Sequence, residues 1–133
     1  ISADDGLWDL LGEGRAVAIM RHALAPGTGD PPEFRLDDCS TQRNLSDEGR
    51  DQASAIGARF RANGIEAATV LSSQWCRCLE TARSLGLGSV DALPAPVLYE
   101  PHRSMPREET RRVAEAVARS EIDGAVLDVD GAS

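Results

Sequence analysis

Short runs of apolar residues alternate along this chain with longer segments of helical spacing. Residues 15–20 (RAVAIM) form the first run, residues 68–71 the second, and further runs stand at 97–99 and 125–129. Because the first run is continuous in apolar residues and does not alternate with polar ones, it predicts a buried strand of the kind found in parallel sheets, and the other runs predict further strands.

The segments between the runs carry helix signals. Ser46 is followed by two acidic residues and then by apolar residues at helical spacing, and residues 63–64 (NG) predict the end of that helix. A second helix is predicted at about residues 75–85, and a third begins at Pro106. This alternation predicts one α/β domain over residues 1–133, with a mainly parallel sheet flanked by helices.

Polar groups follow two of the predicted strands. Arg21 and His22 come directly after the first strand, and residues 72–77 come after the second. Because the carboxyl ends of parallel strands share one edge of a sheet, we expect these groups to converge there. Arg77 lies in the first turn of the predicted second helix, where an arginine fork and free backbone N–H groups together favour a phosphate.

The composition narrows the possible chemistry. All 14 basic residues are arginine, so mechanisms that require a lysine amine are excluded. The formal net charge of −8 argues against general nucleic-acid binding, and no apolar run is long enough for membrane insertion. The chain has only two histidines, His22 and His102. The long loop at residues 23–38, rich in proline and glycine, is of the kind that often carries function.

Three cysteines leave two interpretations open. They are buried free thiols, or Cys39 pairs with either Cys76 or Cys78. The Cys-x-Cys spacing lacks the gap usual in zinc sites, so we expect no metal and no cofactor. A disulfide would require an oxidising compartment, and the start at Ile1 would be explained by a removed signal peptide or by disordered or cloned ends. We therefore expect a periplasmic or secreted protein if the disulfide forms, and a cytoplasmic one otherwise.

Three blocks of the sequence resemble the histidine phosphatase superfamily, whose fold is that of phosphoglycerate mutase. They correspond to the family's Arg-His-Gly, Leu-x-x-x-Gly-x-x-Gln-Ala and Ser-Ser-x-x-x-Arg-x-x-x-Thr-Ala motifs, and here they occupy residues 20–23, 45–53 and 72–82. The loop at residues 23–38 and residues 39–45 (CSTQRNL) are similar to the branch near the lipopolysaccharide-core heptose phosphatases.

The resemblance implies a three-layer fold and a phosphomonoesterase that acts through a phosphohistidine. His22 would attack phosphorus, and Arg21 and Arg77 would hold the phosphate oxygens. Glu100 would donate a proton. Further substrate contacts would come from Arg43 and Thr28. The expected partner is a small phosphorylated substrate or free phosphate, and the sequence predicts no oligomeric state.

Two departures from the family pattern leave a second function open. Ala23 stands where the motif has glycine, and the segment at residues 126–131 has Asp130 where the family has a second histidine. We therefore expect the C-terminal part to be shortened or altered. The alternative is a catalytically impaired domain that binds phosphate or a phosphosugar. Mutase activity is disfavoured, because the segment between Thr81 and Arg107 is short.

Overall fold

The computed structural model describes residues 5–93, 112, 115–117, 119 and 123–128. Its helices and strands, in chain order, are α1 (Asp5–Gly12), β1 (Val17–Arg21), a short 3-10 helix (Cys39–Thr41), α2 (Asp47–Ala62), β2 (Thr69–Ser72), α3 (Cys76–Ser84), β3 (Val90–Ala92) and β4 (Gly124–Asp128). The four strands form one sheet in the order β1-β4-β2-β3. None of the described helices has the length and apolar character that a membrane crossing requires.

The predicted α/β sheet is present, and its strand pairing is mixed and not purely parallel. β2 and β3 pair in parallel, whereas β4 lies between β1 and β2 and is antiparallel to both. Thus β1, β2 and β3 share one direction, and β4 alone runs the other way. All five residues of β4 are buried. A strand buried on both faces has an apolar sequence whether it runs parallel or antiparallel to its neighbours. The sequence pattern of β4 therefore does not indicate its direction.

Helices cover both faces of the sheet, which confirms the three-layer, phosphoglycerate mutase-like architecture. On one face Leu11 of α1, Phe60 of α2 and Ala82 of α3 pack with Leu127 of β4 in the larger apolar core. On the other face Val117, from the helical residues 115–117, packs against Leu71, Leu93 and Val126.

Most predicted elements in the described part of the chain are present. Ser46 caps α2 by accepting a hydrogen bond from the backbone N–H of Gly49, and Asn63 follows its last turn. Sequence patterns missed β3, because a three-residue strand with a central Asp91 presents no apolar run. The strand predicted at residues 97–99 and the start of the helix predicted at Pro106 lie outside the described residues.

Candidate active site

The predicted convergence at one sheet edge is confirmed by the strand register. In β4, Gly124 pairs with Arg21 at the end of β1, and the next residue, Ala125, pairs with Ser72 at the end of β2. His22, which follows β1, and the N-terminus of α3, which follows β2, therefore lie at the same edge.

Three successive backbone N–H groups fix the segment that carries His22. The N–H of His22 donates to the carbonyl of Asp123 at 3.1 Å. The N–H of Ala23 donates to Oγ1 of Thr81 at 2.9 Å, and the N–H of Leu24 donates to Oε1 of Gln52 at 3.0 Å. The residue before β4, helix α3 and helix α2 each supply one acceptor, so the position of His22 is set by three separate elements.

The imidazole of His22 presents a free nitrogen lone pair. Its Nδ1 lies 2.7 Å from the carbonyl oxygen of Ala23, and because a carbonyl can only accept, Nδ1 carries the proton. In the neutral imidazole, which is the form that can attack phosphorus, Nε2 then keeps its lone pair. This atom is buried and makes no hydrogen bond in the described structure, and the His22 side chain is only 8% exposed. An unpartnered, oriented imidazole nitrogen is suited to act as a nucleophile.

Arg77, in the first turn of α3, is held between two carboxylates. Its Nη1 donates to both oxygens of Asp30 at 3.0 and 3.1 Å. Its other edge, Nε and Nη2, donates to Oδ2 of Asp123 at 3.1 and 2.7 Å. The guanidinium also lies 4.5 Å from the ring centre of Trp75. Burial alone would lower the pKa of Arg77, but the hydrogen bond and charge of Asp123 and the charge of Asp30 raise it above its ordinary value.

Asp123 joins Arg77 to His22. The same Oδ2 atom that the Arg77 fork binds lies 3.7 Å from Nε2 of His22. Burial alone would raise the pKa of Asp123, but the hydrogen bonds from Cys78 and Arg77 and the charge of Arg77 outweigh burial and lower it. The thiol of Cys78 donates to Oδ1 at 3.0 Å. Burial raises the pKa of that thiol to about 12, so Cys78 serves as a neutral donor and not as a nucleophile.

An open cavity of about 510 Å³ is lined in part by His22. Four of the six predicted site residues line it, namely Arg21, His22, Thr28 and Arg43. Arg77 is not part of this lining but is linked to it, because Asp30 also accepts a hydrogen bond from the backbone N–H of Arg43. Glu100, the predicted proton donor, lies outside the described residues.

A model of the histidine phosphatase superfamily (branch 1) matches residues 17–119 of the chain. The chain belongs to the histidine phosphatase superfamily. Comparisons with curated proteins and with solved structures found no match. Membership supports chemistry of the phosphatase and mutase type in general.

The second family motif has a direct physical role in this member of the superfamily. A Cβ at Gly49 would lie 2.1 Å from the carbonyl oxygen of Leu24, so only glycine lets α2 approach the segment after His22 this closely. The same carbonyl accepts a hydrogen bond from the N–H of Ser46. Leu45 and Ala53 are buried beside Ala23 in a small apolar cluster. The motif therefore builds a support for the histidine loop.

The departure at position 23 is accommodated by the same support. The methyl group of Ala23 is buried among Ala25, Leu45 and Ala53. Its N–H keeps the hydrogen bond to Thr81, and its carbonyl keeps the one to His22. Alanine therefore occupies the position of the family glycine while both hydrogen bonds are formed.

The placement of Asp130 where the family has a second histidine stays a prediction, because Asp130 lies outside the described residues. The described strand before it, β4, runs away from His22, since Asp128 pairs with Val17 at the opposite edge of the sheet. The acidic group that stands beside His22 is Asp123, at the start of the strand. A prediction that β4 is antiparallel would have identified Asp123, but the apolar sequence of this strand does not indicate its direction.

The loop after His22 is tied down at several points. The guanidinium of Arg43 donates to the carbonyls of Gly29 and Ala25, so it holds the loop in addition to lining the cavity. Cys39 and Cys76 form a disulfide, which selects one of the two pairings left open, and Cys78 is a buried free thiol. Sequence reasoning missed Asp30, which stands among glycines and prolines with no periodic pattern to mark it. In the described part of the chain, no group of acidic, histidine and cysteine residues is suited to a metal ion.

Proposed function

We propose that this protein is a phosphomonoesterase that acts on a small phosphorylated substrate through a phosphohistidine at His22. One observation carries the proposal. A buried imidazole nitrogen with a free lone pair and the fork of Arg77 face the same anionic oxygen, at 3.7 and 2.7 Å. A phosphate oxygen in that position would be held by Arg77 while phosphorus faces Nε2.

The reaction follows from this arrangement in two steps. The lone pair of Nε2 forms a bond to phosphorus, the bond from phosphorus to the ester oxygen breaks, and the leaving oxygen takes a proton. Water then attacks the phosphohistidine, which releases phosphate and restores the imidazole. Arg21 is exposed and lines the cavity, and with Arg77 it would offset the negative charge of the transferring group.

The cavity indicates the size of the substrate. A volume of about 510 Å³ suits a phosphorylated sugar or a metabolite of similar size. Thr28 and Arg43 lie on its wall and offer a hydroxyl and a guanidinium to such a molecule. A relation to the heptose phosphatase-like branch stays a prediction that a phosphosugar assay would test.

A second candidate function is phosphate binding without turnover. It is favoured by the two carboxylates on Arg77, which neutralise the guanidinium that a substrate phosphate would need. A domain that binds an anion only when these carboxylates give way would bind weakly and turn over slowly or not at all.

One assay separates the two functions. Turnover of p-nitrophenyl phosphate is measured for the wild type, His22→Ala and His102→Ala, the last replacing the only other histidine. We expect hydrolysis by the wild type and His102→Ala, and loss of hydrolysis in His22→Ala. Binding of phosphate without hydrolysis by the wild type would contradict the enzyme and support the binding domain.

We also propose that the protein works in an oxidising compartment, as a periplasmic or secreted protein. The disulfide between Cys39 and Cys76 supports this, because such bonds persist outside the reducing cytosol. Fractionation of cells that express the full-length gene product tests it. A cytoplasmic protein with both thiols free would contradict it.

A further inference from the structure

The carboxylate of Asp123 occupies the place where the proposed function puts a phosphate oxygen. Its Oδ2 accepts hydrogen bonds from both Nε and Nη2 of Arg77, and it lies 3.7 Å from Nε2 of His22. The Arg77 side chain is 5% exposed and that of Asp123 is 23% exposed, so the contact is shielded from water. The second carboxylate, Asp30, binds the other end of the guanidinium through Nη1.

A phosphate dianion and an ionised Asp123 cannot share this edge. Both would need the same two N–H donors, and their like charges would lie a few ångströms apart in a poorly hydrated site. The incoming anion must therefore displace the carboxylate. Once displaced, the carboxylate has lost its arginine partner and has gained a dianionic neighbour, and both changes favour its protonated form.

We propose that Asp123 is the proton carrier of this site: phosphate displaces its carboxylate from Arg77 with uptake of one proton, and the resulting carboxylic acid gives that proton to the leaving oxygen. This inference rests on the proposed function and deepens it. As Nε2 bonds to phosphorus and the ester bond breaks, the O–H electrons return to Asp123 and the leaving oxygen departs as an alcohol. The recovered carboxylate is then available as the base for the attacking water.

The groups around Asp123 in the described structure are compatible with this role. From α3 it faces Arg77 and Cys78, from the end of β1 it faces His22, and from the loop Asp30 lies across the guanidinium. Cys78 stays a neutral thiol, since burial raises its pKa to about 12. Asp30 remains on Nη1 and keeps Arg77 oriented while the other edge changes partner. Asp123 is the carboxylate that contacts both Arg77 and His22.

Sulfate provides the first test, because it remains a dianion across the whole neutral range and contributes no titration of its own. Calorimetric titrations at pH 6 in buffers of different ionisation enthalpy give the number of protons taken up on binding. They are run in a His22→Gln background, which removes the imidazole from the count. We expect uptake of about one proton per sulfate. Adding Asp123→Asn should abolish the uptake and tighten binding, whereas Asp30→Asn should leave the uptake unchanged.

The leaving group provides the second test. p-Nitrophenolate departs without a proton, whereas the alkoxide of β-glycerophosphate requires one. Asp123→Asn should lower kcat/KM for β-glycerophosphate by ~100-fold or more and affect p-nitrophenyl phosphate far less. Glu100→Gln serves as the comparison. If Glu100→Gln shows the selective loss and Asp123→Asn does not, Glu100 is the donor and the inference is wrong.

The outcomes also separate this inference from the proposed function. If neither the His22→Gln protein nor its Asp123→Asn derivative binds sulfate, and the wild type hydrolyses neither ester, the proposed function fails and the inference falls with it. If sulfate binds with the same proton count with and without Asp123, the site stands and the inference alone is overturned.

Discussion

The backbone N–H of Ala23 and the hydroxyl of Thr81 form a hydrogen bond of 2.9 Å across 58 residues of sequence. The same hydroxyl donates to the carbonyl of Arg77 at 2.7 Å, one turn earlier in α3. Thr81 is almost fully buried. One side chain therefore ties the segment that presents His22 to the helix that presents Arg77, and it fixes the spacing of the two groups that the proposed reaction uses.

Replacement of Thr81 by valine should weaken both the fold and the site. Valine has the same shape but leaves the buried N–H of Ala23 without an acceptor, which costs about 1–3 kcal/mol of unfolding free energy. We expect that loss in urea denaturation, together with a lower kcat/KM for p-nitrophenyl phosphate. Thr81→Ser keeps the hydroxyl and should retain most of both quantities. Equal behaviour of the valine and serine variants would contradict the role given to this hydrogen bond.

Gly49→Ala should destabilise the protein although alanine is the better helix former. Helix propensity alone predicts a gain of about 1 kcal/mol. The added Cβ would however overlap the carbonyl of Leu24, and displacing that backbone reverses the sign to a loss of about 1–3 kcal/mol. The matched control is Ser54→Ala, at an exposed position of the same helix. Thermal unfolding compares the two, and a more stable Gly49→Ala protein would show that α2 can move away from the histidine loop at little cost.

Arg77→Lys should impair anion recognition although the charge is kept. A lysine ammonium cannot supply the two parallel donors of the Nε–Nη2 edge. By comparison with the loss of one preorganised donor in other active sites, kcat/KM should fall by about 100-fold or more. Arg83→Lys, at an exposed position on the same helix, is the control and should change little. Circular dichroism checks that the variant is folded. Wild-type kinetics in a folded Arg77→Lys protein would show that the Arg77 guanidinium is not needed for the reaction.

The cysteines should differ in reactivity in a defined way. In the native, unreduced protein iodoacetamide at pH 8 should label no cysteine, because Cys39 and Cys76 are bonded and Cys78 is buried with a pKa of about 12. Mild reduction without denaturant should expose Cys39 and Cys76 to labelling and leave Cys78 protected. Peptide mass mapping reads out the three positions. Labelling of Cys39 before reduction would mean that the disulfide does not form.

The sequence predicted where His22 and Arg77 lie better than it predicted the carboxylates around them. His22 and Arg77 were recognisable because family motifs mark them, and their meeting at one sheet edge followed from the strand-end rule. Asp30 and Asp123 had no such signal. Asp30 lies in an irregular loop, and Asp123 precedes a buried strand whose apolar run fits either direction. Both carboxylates reach Arg77 through tertiary contacts between residues far apart in sequence, which local patterns do not encode.

The elements of the fold likewise divide into those that local sequence signals predict and those that depend on tertiary contacts. α2 was predicted from its cap to its end, since Ser46, the acidic first turn and Asn63 are all local signals. The antiparallel direction of β4 and the short β3 depend on which strands lie beside them. The disulfide was one of the alternatives left open, and only the fold places Cys39 beside Cys76 and keeps Cys78 apart.

The central claim is that His22 carries the phosphoryl group during turnover. It is tested most directly by rapid quenching of the protein with substrate under alkaline conditions, where phosphohistidine survives, followed by mass spectrometry of the peptide that contains His22. We predict a phosphoryl group on Nε2 of His22 that appears with substrate and that forms ~100-fold or more slowly when Asp123→Asn is mixed with β-glycerophosphate. Turnover by the wild type with no phosphoryl group on His22, or with the group on another residue, would contradict the account.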